Sequence, residues 1–305
     1  MQTLKPSELA LAAEHLLQAE LVAFPTETVY GLGAPIFNDK AISKIFTAKN
    51  RPADNPLIAH IANISDVERI AINIPQEFYQ LASVFWPGSL SILLEAHSDV
   101  PLIARAGLPT IAVRMPAHPL ALSLITLVGQ PLVAPSANLS GKPSATSVEH
   151  VLEDFTGKIA AVVDGGDCQG GLESTVLSLQ NRQQPVVLRP GAITCKQIAE
   201  VLGCPVRLST EGVALSPGMK YRHYAPKAPI QLVFDEISLI RHLEESSKRR
   251  VVLRQHDGSL SSQRFYAALR RADRESTEEI LILCDEKTRN DEALWNRILK
   301  ASGHS

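Results

Sequence analysis

The sequence predicts an α/β protein of α+β character. A mixed β-sheet with helices packed on it comes first, and a small parallel three-stranded domain follows. Three observations predict this. Apolar residues switch repeatedly between the two-residue period of strands and the 3.6-residue period of helices along the 305-residue chain. Several strand-like runs between 159 and 190 follow one another with no helix between them, which argues against a doubly wound parallel fold. Beyond residue 228 the chain becomes about a third charged, with 13 Lys/Arg and 13 Asp/Glu in 77 residues, and repeats a strand–helix unit three times.

The elements follow in order. Residues 7–19 read as an amphipathic helix with Leu9, Ala13, Leu16 and Leu17 on one side, and Pro6 suits its first turn. LVAF at 21–24 is a short strand running into Pro25. Helical spacing returns at 39–48 with Ile42, Ile45 and Phe46. LIAHIA at 57–62 is a strand, and helices are expected at 65–72 and 76–86. Strands follow at 89–96 and 110–115, then a helix from Pro119 that Gly129 closes. PLVAPSAN, KIAAVVDGG, STVLSL and PVVLRPG supply more strands, and a helix at 194–202 ends at Gly203. Residues 207–228 show no period and read as a linker. The domain boundaries are therefore 1–206, 207–228 and 229–305.

Composition narrows the function classes. A formal net charge of −2 gives no global basic signal, so nucleic-acid binding would need a local patch. Cys168, Cys195, Cys204 and Cys284 form no CxxC pair, which speaks against a disulfide framework or a zinc site and for a reducing compartment. The N-terminus lacks the apolar region of a signal peptide, and no window reaches the ~20 apolar residues of a membrane span. The reading is a cytoplasmic protein with no membrane partner.

The common nucleotide and hydrolase motifs are missing: no GxxxxGK[ST], no complete GxGxxG, no HExxH and no GxSxG. Four other segments carry chemistry. Thr26, Glu27, Thr28 and Tyr30 cluster where a strand ends, the usual place for ligands in α/β sheets. Lys49 and Arg51, followed by Pro52 and Pro56, form a rigid cationic hook suited to phosphate. Arg114 sits near the end of an apolar strand, where a buried guanidinium needs a carboxylate from the protein or from a ligand. Small hydroxyl and amide groups from Ala134 to Ser144, with Glu173, Ser174, Thr175 and Arg189, leave room for a ligand and offer it hydrogen bonds. His60, alone in its strand, reads first as a core histidine.

PTETVYGLG (25–33), KNRPADNPL (49–57), TIAVRMP (110–116), PSANLSGKPS (135–144), GLEST (171–175) and LRPG (188–191) stand in that order and spacing. Together they resemble the YrdC-like threonylcarbamoyl-AMP synthase family. SPGMKYRHYAP at 216–226 points to its longer, two-domain members. The resemblance implies a twisted mixed sheet with a concave site and a Rossmann-like C-terminal domain, which is shorter here than in other long members. It implies that L-threonine, bicarbonate or carbon dioxide, and ATP become L-threonylcarbamoyl-AMP and pyrophosphate. A downstream threonylcarbamoyl transferase complex then modifies tRNA beside the anticodon, and weak direct tRNA contact is compatible with it. By this resemblance Thr28, His60, Arg114, Ala134 and Ser174 hold threonine. Lys49, Arg51, Asn55, Thr110, Ser136, Asn138, Ser144, Arg189 and Tyr224 hold ATP, with Lys49 and Arg51 at the phosphates as catalytic cations. Mg²⁺ is expected on the phosphates, with no protein metal ligand. The linker is expected to close over the nucleotide, with Tyr224 beside it. The rival readings are a non-catalytic RNA-binding module and a related carbamoyl-adenylate-forming enzyme of the same fold.

Overall fold

The computed structural model describes residues 1–209, 224–245 and 247–304. Among these, twelve strands join in one mixed sheet. They are β1 (Gln2–Leu4), β2 (Val22–Phe24), β3 (Gly31–Pro35), β4 (Ile58–His60), β5 (Ala71–Ile72), β6 (Leu90–Ala96), β7 (Thr110–Arg114), β8 (Leu132–Val133), β9 (Ala161–Val163), β10 (Thr175–Ser178), β11 (Val186–Arg189) and β12 (Arg207–Leu208). The order is β1-β9-β2-β3-β8-β4-β7-β6-β10-β11-β12, with β5 beside β6. Parallel and antiparallel pairs mix: β4 runs parallel to β7, while β6 runs antiparallel to β7 and β3 to β8.

Alternating side chains separate two apolar layers, as the pleat requires. Val22 and Phe24 face helices α1 (Leu9–Leu17) and α4 (Pro119–Val128). Leu21 and Ala23 face the opposite core, which also takes α2 (Asp39–Lys49), α3 (Gln76–Phe85), α5 (Val148–Phe155) and α6 (Cys195–Leu202). The close fit of the β2–β3 hairpin needs glycine: a Cβ on Gly33 would stand 2.8 Å from the Phe24 ring.

Several expectations need correction. Leu17 is exposed, and Ala12 takes its place on the buried face of α1. Residues 64–69 form a 3₁₀ helix that gives way to β5, not a helix through 72. PLVAPSAN is a strand only at Leu132–Val133, because Pro135 cannot donate to a ladder. Gly31–Pro35, which no periodicity marks as an element, form a strand because β2 and β8 hold both sides of it. Helix α5 was unread because His150 and Asp154 interrupt its apolar face, although Ser147 caps it by accepting His150 N–H.

The second sheet is parallel as expected, in the order β13-β15-β14. Its strands are β13 (Ile230–Val233), β14 (Arg250–Leu253) and β15 (Glu279–Leu283). Helices α7 (Glu236–Glu244), α8 (Phe265–Arg274), α9 (Glu286–Asn290) and α10 (Glu292–Ser302) complete it. Its apolar core continues into the large domain through Val29 and Leu172. Two residues inside the expected linker, Arg207 and Leu208, prolong the large sheet beside β11. Met219, Lys220, Tyr221, Arg222 and His223 lie outside the described residues.

Candidate active site

The ends of β2, β4, β7 and β11 border one cleft, part of it open to solvent. Of the residues expected at the site, Thr28, Lys49, Arg51, His60, Arg114, Ala134, Ser136, Asn138, Ser174, Arg189 and Tyr224 border it. Asn55, Thr110 and Ser144 do not. Thr110 begins β7 while Arg114 ends it, so the two are about 13 Å apart at ~3.3 Å per residue. Ser144 stands behind Glu173 and donates to its Oε1 at 2.5 Å.

On one side of the cleft, Arg114 is fixed by three partners. Its Nη1 donates to Thr28 Oγ1 at 2.9 Å, its Nε to Gly88 O at 3.0 Å, and its Nη2 lies 2.6 Å from Glu27 Oε1. The buried guanidinium thus already has a protein carboxylate, so its charge does not by itself require one from a ligand. Thr28 Oγ1 also shares a 2.8 Å hydrogen bond with Thr26 Oγ1. His60 pairs in register with Arg114 across β4 and β7. Burial, then the nearby Arg114 charge, lowers the His60 pKa to about 3, so the ring is neutral at pH 7. It is therefore a neutral hydrogen-bonding ring at the edge of the cleft.

On the other side the cations lean on backbone. Lys49, which ends α2, is buried, and its Nζ donates to Ser136 O at 2.6 Å and to Asn138 O. Asn50 caps the helix in the left-handed region and turns Arg51 back toward the cleft. Arg51 Nη2 donates to Asn55 O at 3.2 Å and Pro56 O at 3.1 Å. Burial, then Arg51, pushes the Lys49 pKa well below the lysine range. Burial lowers Arg51 to about 10 against a raising influence of Tyr224, and Arg189 lowers it further. Arg189 in turn donates Nε to Ser174 O at 3.1 Å and Nη2 to Ser174 Oγ at 3.2 Å. Crowded cations of this kind favour an anion between them.

Sequence reasoning missed Ser91, whose hydroxyl lies 2.8 Å from Ser174 Oγ. It also missed that Glu173 is a wall residue and that Tyr266, Arg270 and Arg297 reach it or its neighbours from the small domain. A signal existed. Arg297 lies on the apolar stripe Leu294–Ile298–Ala301 of α10, and Tyr266 and Arg270 are four apart on α8, where a lone polar group needs a partner. Among the described residues no group of three or more His, Cys, Asp or Glu is placed to hold a metal ion. No helix among them is long and apolar enough to cross a membrane.

A mixed sheet whose strand ends gather Lys49, Arg51 and Arg189 opposite a pinned Arg114 defines an enzyme-like site for an anionic substrate. Comparison with known proteins narrows this. The family profile described as "Telomere recombination" matches residues 14–191, and that of the "Threonylcarbamoyl-AMP synthase, C-terminal domain" matches 193–303. The C-terminal segment therefore fits the family in sequence as well as in its strand–helix pattern. The threonylcarbamoyl-AMP synthase of Pyrococcus abyssi is 42% identical over 97% of this chain and 94% of its own length. That of Bacillus subtilis is 43% identical over 97% and 93%. A solved structure, Pyrococcus abyssi Sua5 complexed with L-threonine, superposes with a TM-score of 0.90 at 41% identity, covering 99% of this chain and 97% of that one. The chain belongs to the threonylcarbamoyl-AMP synthase family and is an enzyme of the nucleotidyltransferase type.

Proposed function

We propose that the chain condenses L-threonine, bicarbonate or carbon dioxide, and ATP to L-threonylcarbamoyl-AMP and pyrophosphate. The observation that carries this reading is the two-sided cleft, with Arg114, Thr28 and His60 on one side and Lys49, Arg51 and Arg189 on the other. The threonine amine adds to carbon dioxide and loses a proton, giving a carbamate; from bicarbonate that proton instead leaves with the departing hydroxide as water. A carbamate oxygen then attacks the α-phosphorus of ATP, and the bond to the pyrophosphate oxygen breaks. No protein nucleophile is needed, so catalysis rests on positioning and on charge stabilisation at phosphorus.

In this reading Arg114 pairs with the threonine carboxylate while keeping Glu27, and Thr28, Ser174 and the backbone at Ala134 complete that half. His60 stays neutral and orients the bound amino acid. Lys49, Arg51 and Arg189 face the triphosphate, Ser136 and Asn138 line its path, and Tyr224 flanks the nucleotide. Asn55, Thr110 and Ser144 support the wall from behind. With Mg²⁺ bound alongside ATP, part of the triphosphate charge would be offset, and no protein side chain is assigned to hold the ion. The free, unpaired thiols suit a reducing cytoplasm. The product is a mixed anhydride, and a transferase complex that modifies tRNA beside the anticodon would consume it.

Incubation of the purified chain with radiolabelled threonine, bicarbonate, ATP and Mg²⁺ tests the reading. Expected is a labelled adenylate that needs bicarbonate, with one pyrophosphate released per molecule. A protein that binds both substrates yet forms no such adenylate would overturn it.

A further inference from the structure

Glu173 occupies the junction between the two domains, one residue before Ser174 in the cleft wall. Its carboxylate is buried and accepts three hydrogen bonds. Ser144 Oγ donates from the large domain at 2.5 Å. Tyr266 OH, on α8, donates at 2.9 Å, and Arg297 Nε, on α10, at 2.8 Å. Burial opposes the charge, but Arg297 and Arg189, with the hydrogen bonds, hold the Glu173 pKa down to about 2. The carboxylate is therefore ionised.

Arg297 does more than neutralise it. The residue is 0% exposed. Its Nη1 donates to Pro190 O at 3.0 Å, the carbonyl next to Arg189. Its guanidinium lies 5.7 Å from the centre of the Tyr224 ring, which in turn lies 5.2 Å from that of Tyr266. One small-domain side chain thus touches three pieces of the cleft wall: Glu173 beside Ser174, Pro190 beside Arg189, and Tyr224. An apolar plug of similar volume would hold the domains together as well or better, because desolvation offsets much of a buried ion pair. What the polar version adds is fixed direction for the groups it holds.

We propose that Arg297, with Tyr266, is a positioning residue for the synthase site, setting Ser174 and Arg189 through Glu173 and Pro190 and setting Tyr224 through its ring. The proposal rests on the function proposed above. A domain staple with no role at the site is the competing account, and Arg274 provides its control. That residue also crosses the junction, pairing with Glu153 at 3.0 Å, but is half exposed and away from the cleft.

The test uses the full chain with Tyr266→Phe, Arg297→Lys and Arg274→Ala. Steady-state kinetics, ATP titration calorimetry and thermal unfolding are read on each. Tyr266→Phe removes one hydroxyl and keeps the ring. It should raise the KM for ATP about tenfold, with a lowered but still cooperative unfolding transition from the lost hydrogen bond to the buried Glu173 carboxylate. Arg297→Lys should raise it further, because lysine cannot reproduce the fork or the face against Tyr224. Arg274→Ala should keep the wild-type KM. Wild-type KM and kcat in a folded Tyr266→Phe and Arg297→Lys would overturn the proposal. So would lowered thermal stability with unchanged KM. If Arg297→Lys does not fold, Tyr266→Phe decides alone. If the wild type makes no adenylate, the function fails while calorimetric ATP affinity still reads the positioning effect.

Discussion

The two sides of the cleft solve the burial of positive charge differently. On the Arg114 side the guanidinium has a carboxylate, a hydroxyl and a carbonyl, each at 3.0 Å or less. On the Lys49 side Lys49 and Arg51 donate to carbonyl oxygens, and beyond burial Arg51 lowers the Lys49 pKa and Arg189 that of Arg51. The first arrangement is already paired within the protein. The second is held by contacts that a phosphate could replace with stronger, charge-assisted ones. On the proposed function, selectivity for the amino acid then belongs to the rigid side, and the driving force for nucleotide binding to the crowded side.

The largest expected effect breaks the rigid side. Arg114→Met leaves Glu27 without its cation, and removing one partner of a buried pair costs about 3–5 kcal/mol; with Glu27 side-chain exposure at 20%, the lower end applies. Chemical denaturation should show that loss, and threonine-dependent pyrophosphate release should vanish. Stability within 1 kcal/mol of wild type, roughly a neutral surface change, would mean the pair is not what holds this side.

On the crowded side, Arg51→Ala should weaken ATP by about 1.5–3 kcal/mol in calorimetry, the range for a hydrogen bond to a charged group. Lys142 sharpens the point. It borders the same cleft but already has a carboxylate, Asp154, at 2.8 Å and is 41% exposed. Lys142→Ala should cost ATP affinity only ~0–1 kcal/mol. Equal losses from the two substitutions would remove the distinction between carbonyl-held and carboxylate-held cations.

A separate effect appears only in acid. His60 has a folded pKa of about 3, below its unfolded value near 6.5. Its stability contribution is therefore complete above pH 6.5 and is lost as pH falls toward 3. His150, held at about 4 by burial and then Arg270, adds the same sign between 6.5 and 4. Glu173, at about 2, acts lower, between its unfolded value near 4.5 and 2. Thermal midpoints of wild type should fall on acidification through this range, and His60→Gln should flatten the upper part without abolishing it. An unchanged slope above pH 4.5 in His60→Gln would mean the imidazole is protonated in the folded protein.

Much of the fold and cleft was legible because each strand and helix advertises its period, and because the motif segments fall where strands end. β4, β7, β10, β11 and the three strands of the small domain were read from local pattern alone. What was not legible depends on distant partners. β3 is a strand only because β2 and β8 flank it, and α5 hides behind His150, whose ring accepts from Thr146 N–H, and Asp154, whose carboxylate meets Arg270 and Lys142. Most of the motif residues border the cleft, but Thr110 and Asn55 do not, since a motif records proximity in sequence and not which way a side chain points. Glu173 belongs to a segment the sequence places at the ligand, but its partners Tyr266 and Arg297, 93 and 124 residues away, are invisible to any local reading.

The central claim is that the cleft is divided, with Arg114 serving threonine and the Lys49–Arg51–Arg189 group serving ATP. Calorimetric titration of Arg114→Lys with each substrate tests it most directly, because lysine keeps the charge beside Glu27 but loses the bidentate fork. The account predicts threonine affinity lower by roughly 10- to 100-fold, as for a charged hydrogen bond, with ATP affinity unchanged. Wild-type threonine affinity, or an equal loss for both ligands, would contradict it.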